Sequence, residues 1–228
     1  MYCTSTQVRL LSDSDFISFE QKGISKFPQP YVDFMKTYGI GTYGGAICIG
    51  GPDFDVLKDF AEYHFWKFKD APITEAQFCE CVVIGNSIDG DYIAIHSQVE
   101  GYILFPRNSD IIKLFPYDEE SFVYSINKIG KYLYDEELEN YFEPVGAQSL
   151  FLHASSEITD ALIEEFKTVF KGDYLIENEY ICDVFLRRMG GYVRFNLALK
   201  SEIAVFYSDY GLACFEKVKK FLIDNGCK

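Results

Sequence analysis

Residues 27–49 read FPQPYVDFMKTYGIGTYGGAICI, and the way this stretch is parsed decides the fold of the N-terminal part of the chain. Phe27, Tyr31, Phe34 with Met35, and Tyr38 recur at steps of three and four, so one face of a short helix is apolar and needs a sheet to lie on. Pro28 and Pro30 fall where the first turn's amides have no helical partner. Gly39 is placed to take the left-handed conformation that closes a helix, and Gly41, Gly44 and Gly45 allow a tight reversal. Ala46 to Ile49 then reads as a buried strand.

The same letters contain Gly39-Ile40-Gly41-Thr42-Tyr43-Gly44, a match to the G-x-G-x-x-G dinucleotide pattern. That pattern binds pyrophosphate only when a strand precedes it and a helix follows, so that the helix amino terminus faces the phosphates. Here a helix precedes and a strand follows. The run is therefore read as a structural turn, and no cofactor is expected.

Composition narrows the class. The chain has 228 residues, long enough to bury a core in one large or two small domains. Its seven cysteines are an odd set without paired C-x-x-C spacing, which fits reduced thiols in a cytoplasmic setting and no metal site. No apolar run approaches the roughly twenty residues that span a bilayer, and no secretory leader pattern is present. The net charge is -14; residues 1–144 hold 11 Lys and Arg against 23 Asp and Glu, residues 145–228 hold 10 against 12. So acidic a first part repels nucleic acid and anionic lipid and steers a basic partner toward itself. Seventeen Tyr and 21 Phe add half-exposed aromatic surface suited to binding.

Along the chain, Ser12 with Asp15 reads as a helix cap. Gly50-Gly51-Pro52 is expected to break the strand before a helix from Phe54 to Phe68 that turns Leu57, Phe60, Ala61 and His64 to one side. Short strands divided by turn signals follow at Cys81–Ile84, Tyr92–His96, Tyr102–Phe105 and Ile111–Phe115, the mark of an antiparallel meander. A helix carrying Phe122, Ile126, Ile129 and Leu133 must cover it. Glu143-Pro144-Val145-Gly146 reads as a boundary. Beyond it, a strand at Leu150–His153, a helix Glu157–Phe170 capped by Ser156, further strands and a closing helix Tyr210–Asn225 make a small βαβββα-like unit. The fold expected is thus α+β: a helix-covered meander over 1–144, then an α+β unit over 145–228.

Two segments, FPQPYVDFMKTYGIGTYGG and CVVIGNSIDGDYIAI, in that order and followed by GYILFP and IIKLF, resemble the SUKH superfamily. That family joins fungal Smi/Knr-type regulators of cell-wall glucan synthesis with bacterial immunity proteins. The likeness covers Ser12 to Tyr134. It implies a non-catalytic α+β domain that binds a protein partner, in bacteria a cognate toxin, or in the Smi/Knr setting partners in wall synthesis. No part of the likeness reaches Val145–Lys228.

The residues themselves offer few catalytic arrangements. His64, His96 and His153 have no paired spacing, and no G-x-S-x-G elbow is present. Asp89 and Asp91 flank Gly90; such a carboxylate pair can do acid–base work, but Asp-Gly is common hairpin chemistry and is read as a turn. No catalytic, cofactor or metal residues are therefore assigned. For a partner surface, Asp118, Glu119 and Glu120 at the start of the covering helix, Glu136 and Glu137 at its end, and Tyr43, Tyr63 and Trp66 as aromatic anchors are the candidates.

Overall fold

The computed structural model describes residues 1–23, 26–118, 121–155 and 157–228. The chain divides into two compact units: Arg9–Phe142, and Met1–Val8 together with Glu143–Lys228. The first eight residues, placed by sequence with the N-terminal part, thus belong with the C-terminal one. Tyr2, in the two-residue strand β1 (Tyr2–Cys3), stacks on Tyr174 at 5.2 Å, and Ser5 shares a hydroxyl hydrogen bond of 3.1 Å with Ser208.

The unit Arg9–Phe142 opens with α1 (Asp13–Glu20), closed at its start by the expected Ser12–Asp15 capping box. In α2 (Gln29–Thr37) Tyr31, Val32, Phe34 and Met35 are buried, and the Tyr31 hydroxyl donates to the Gly50 carbonyl at 2.7 Å. Gly39 follows with φ of +74°, the left-handed closure the sequence asks for. The glycine run then makes a hairpin rather than a bare turn: β2 (Gly41–Tyr43) pairs with β3 (Ile47–Asp53) across Gly44 at φ +55° and Gly45 at φ +68°.

β3 continues through Gly50-Gly51-Pro52, where a break was expected. Its register shifts between Ile49 and Asp53, and a bulge of this kind lets a strand carry a proline that has no N–H to donate.

The expected helix Phe54–Phe68 is the largest departure. Only α3 (Val56–Asp59) is helical; a 3-10 turn over Ala61–Tyr63 and a left-handed His64 (φ 50°) end it. The reason is geometric. At 100° per residue, Leu57 and Trp66 would stand on opposite sides of one helix. Both are buried in the same core with Phe78, Phe105 and Ile112, so the chain breaks to bring them together. Next come α4 (Glu75–Phe78), too short for its period to be visible, then β4 (Val82–Ser87), β5 (Tyr92–His96), β6 (Val99–Phe105) and β7 (Lys113–Phe115). From β2 to β7 the strands are neighbours in chain order and every pair is antiparallel, the meander the turn signals imply. α5 (Phe122–Tyr134) buries Phe122, Ile126 and Ile129, and Ser121 caps it through a bond from the Tyr124 amide. β8 (Tyr141–Pro144) adds a strand beside β2.

In the second unit β9 (Gln148–His153) leads to α6 (Asp160–Phe170). The helix starts three residues later than the sequence suggests, and its cap is Thr159; the expected cap, Ser156, lies outside the described residues. Ile158 is buried and its amide donates to the Lys200 carbonyl at 2.7 Å, which holds the chain extended up to Thr159. Four strands follow, β10 (Tyr174–Glu177), β11 (Ile181–Leu186), β12 (Gly191–Asn196) and β13 (Glu202–Tyr207), then α7 (Leu212–Asp224). The sheet runs β10-β11-β12-β13-β9 and is antiparallel throughout, one strand more than a βαβββα pattern. Alternate residues Val184, Leu186, Val193, Phe195, Ile203 and Val205 face Phe166 and Phe170 of α6 and Phe215, Val218 and Leu222 of α7. The opposite alternation carries Asp183, Phe185, Tyr192 and Arg194.

Candidate partner-binding site

The break after α3 shapes a concavity in the unit Arg9–Phe142. The chain turns at Tyr63 and His64, sends Trp66 inward and leaves Phe65 at the mouth. Trp66 is 8 % exposed and its indole N–H donates to the Pro106 carbonyl at 2.9 Å. Phe60 stands over Tyr92 at 5.6 Å and Trp66 crosses Phe65 edge-on at 5.9 Å. These four rings line a cleft of about 920 Å³, whose other side is the loop from Pro106 to Asp110. Tyr63 lies flat on Phe65, centroids 5.4 Å apart and planes 6° from parallel, although the two side chains are 63 % and 52 % exposed.

The rim is polar and held in place. Lys67 pairs with Asp110 at 2.5 Å, and its amide donates to the Asp110 carbonyl at 2.9 Å. Arg107 donates through its backbone N–H to the Asp91 carboxylate at 2.8 Å and through its guanidinium to the Asp89 carbonyl at 3.0 Å. Asp91 is buried and also receives the Ser87 hydroxyl, while its own amide donates to Ser87 Oγ at 3.0 Å. The Asp89–Asp91 pair is therefore bound up in closing a turn, as Asp-Gly chemistry suggests. A concave aromatic floor with a fixed, mixed-charge rim can seat an apolar or aromatic side chain and hydrogen-bond the backbone that carries it.

The sequence-chosen residues fall in different places. Trp66 lines this cleft and Tyr63 braces its mouth. Trp66 is not an exposed anchor, because its indole N–H and ring are both satisfied in the interior. Tyr43 is likewise interior: at 1 % exposure its hydroxyl accepts from the Asn127 amide at 3.0 Å. With Glu137, Tyr43 lines a second cavity of about 560 Å³ along α5, where Lys128 sits 4.2 Å over the Tyr124 ring. Glu136 and Glu137 are exposed, and Glu137 lies 3.7 Å from Lys131. Asp118 is half-buried at the other end of α5 and its carboxylate accepts the Ser121 amide at 2.9 Å. Glu119 and Glu120 lie outside the described residues. Asp118 lies beside the start of α5, where its amide donates to Ser125 Oγ at 3.2 Å, and Glu136 and Glu137 follow the helix's end.

Phe60, Phe65, Tyr92 and Arg107 were not chosen from sequence. The signal available was aromatic density, five rings between Phe60 and Phe68, hidden by reading that run as one helix. Of the histidines, His96 is buried with Nε2 3.2 Å from Glu80, and its Nδ1 accepts from the Gln98 amide at 3.1 Å; His64 is exposed, 3.9 Å from Glu75. Among the described residues no group of three or more His, Cys, Asp or Glu side chains is arranged to hold a metal ion, and no helix is long and apolar enough to cross a membrane. No protein-family model, no curated protein and no solved structure matches this chain.

Proposed function

We propose that this chain is a non-catalytic binding protein of the SUKH kind, a cytoplasmic immunity protein that occludes a cognate toxin with a basic surface. The observation that carries the reading is the solvent-exposed Tyr63–Phe65 stack at the mouth of the aromatic cleft. Two large rings stacked in water are costly surface unless a partner covers them, and Tyr and Trp dominate the energetics of such interfaces. The acidic excess of residues 1–144 supports the same reading by favouring encounter with a basic partner. The stretch that resembles the SUKH superfamily, Ser12–Tyr134, also falls wholly within one compact unit.

The test is co-expression with a toxin-like reading frame neighbouring the gene. Rescue of growth together with a purified complex supports the reading; failure of both refutes it.

A second reading, a Smi/Knr-type scaffold for cell-wall synthesis, draws on a separate observation: the aromatic cleft and the cavity along α5 share no lining residue among the described residues. A pull-down that recovers wall-synthesis proteins and no toxin favours it over immunity.

A further inference from the structure

We propose that the groove between α6 and α7 docks an acidic segment of a partner protein, one with apolar residues along one side. The groove has a volume of about 680 Å³. Its floor is apolar: Phe170 is buried and crosses Phe221 edge-on at 5.5 Å, while Val169 beside them is 55 % exposed. Its walls are cationic. Arg188, Lys217 and Lys220 line it against a single acid, Asp224, which is bonded to Lys220 at 2.8 Å.

Three cations to one acid in a chain of net charge -14 is a local inversion of sign. At physiological salt, charge acts over about 8 Å, so the groove's own cations outweigh the acidic remainder for a ligand seated in it. Arg188 is pinned, since its guanidinium donates to the Phe170 carbonyl at the end of α6. It thus presents a fixed positive wall. An apolar floor between helices with a cationic rim suits a helix-in-groove mode, apolar side chains down and carboxylates toward Lys217 and Lys220. This site is independent of the aromatic cleft and of the toxin reading.

The test uses the full chain and a fluorescein-labelled glutamate-rich peptide with leucine at every fourth position, followed by anisotropy. The wild type is expected to bind it saturably at low salt, and Lys217→Glu with Lys220→Glu to weaken binding at least tenfold. Val169→Asp is expected to weaken it as well, whereas Tyr63→Ala with Phe65→Ala leaves it unchanged. All five positions are surface-exposed, so the thermal transition should be preserved in each variant. Equal binding of the lysine counterpart peptide, indifference to the Lys217/Lys220 reversal, or no binding at low salt overturns the proposal. So does a groove-dependent dimer in light scattering or groove-dependent binding to phosphatidylserine vesicles in place of the peptide, since either gives the groove a different occupant.

Discussion

Replacing Gly39 by alanine tests the parsing of residues 27–49 at its tightest point. Gly39 has φ of +74°, and a non-glycine residue held there costs about 1 kcal/mol or somewhat more. The larger cost is contact: a Cβ at this position would lie 2.2 Å from the Arg9 carbonyl oxygen and 2.6 Å from its carbon. Backbone cannot rotate aside as a side chain would. The Arg9 carbonyl also accepts the Ile40 amide at 3.1 Å, so displacing it forfeits a hydrogen bond of about 1 kcal/mol. Together these give a loss of about 2–4 kcal/mol. Trp66, the chain's only tryptophan, lies in the core of the same unit, so urea titration followed by its fluorescence reads that unit. Gly39→Asn separates the two causes, because asparagine tolerates the left-handed region but keeps the Cβ. It should recover only the smaller share. An alanine variant within about 1 kcal/mol of wild type, or full recovery by asparagine, would show that the Arg9 contact does not constrain this turn.

Three further outcomes follow from side chains away from the cleft floor. Asp91→Ala removes the acceptor for the Ser87 hydroxyl and the Arg107 amide at a buried position, and should cost about 2 kcal/mol or more and raise hydrogen exchange at Arg107; unchanged exchange would contradict the turn role. Burial raises the Glu143 carboxyl above its ordinary range, against the opposing pull of Tyr192 and Arg194. The folded state then holds that proton more tightly than the unfolded one, so stability is lost as pH rises from about 4.3 through the folded value. Glu143→Gln should flatten that slope and gain on the wild type by pH 7; coincident pH profiles would refute it. Cys79 is exposed, whereas burial pushes the Cys81 thiol up to about 12, so iodoacetamide mapping by mass spectrometry should find Cys79 modified well before Cys81. Equal rates would contradict the burial.

Legibility followed periodicity. Tyr92–His96 alternates cleanly and Phe122–Tyr134 repeats at helical steps, and both elements sit where those periods place them. Gly39 announces its backbone because few other residues suit it. What stayed hidden depends on distant partners. Phe54–Phe68 has an acceptable helical period, and only the shared burial of Leu57 and Trp66 shows why one helix is impossible there. Thr159 displaces the expected cap because Ile158 is tied to Lys200, about forty residues away in sequence. The cleft was half visible for the same reason. Tyr63 and Trp66 could be picked as aromatics, but which ring is exposed is set by the 3-10 turn and by the Pro106 carbonyl, neither of which is local information.

The central claim is that the exposed stack over the cleft is where the partner binds. Isothermal titration of the toxin into wild type and into the Tyr63→Ala, Phe65→Ala double variant measures it directly. A paired hot spot is worth about 2 kcal/mol or more, so the variant should bind about thirtyfold more weakly or worse, with its Trp66 unfolding transition unchanged. Equal affinity in the two proteins would contradict the claim.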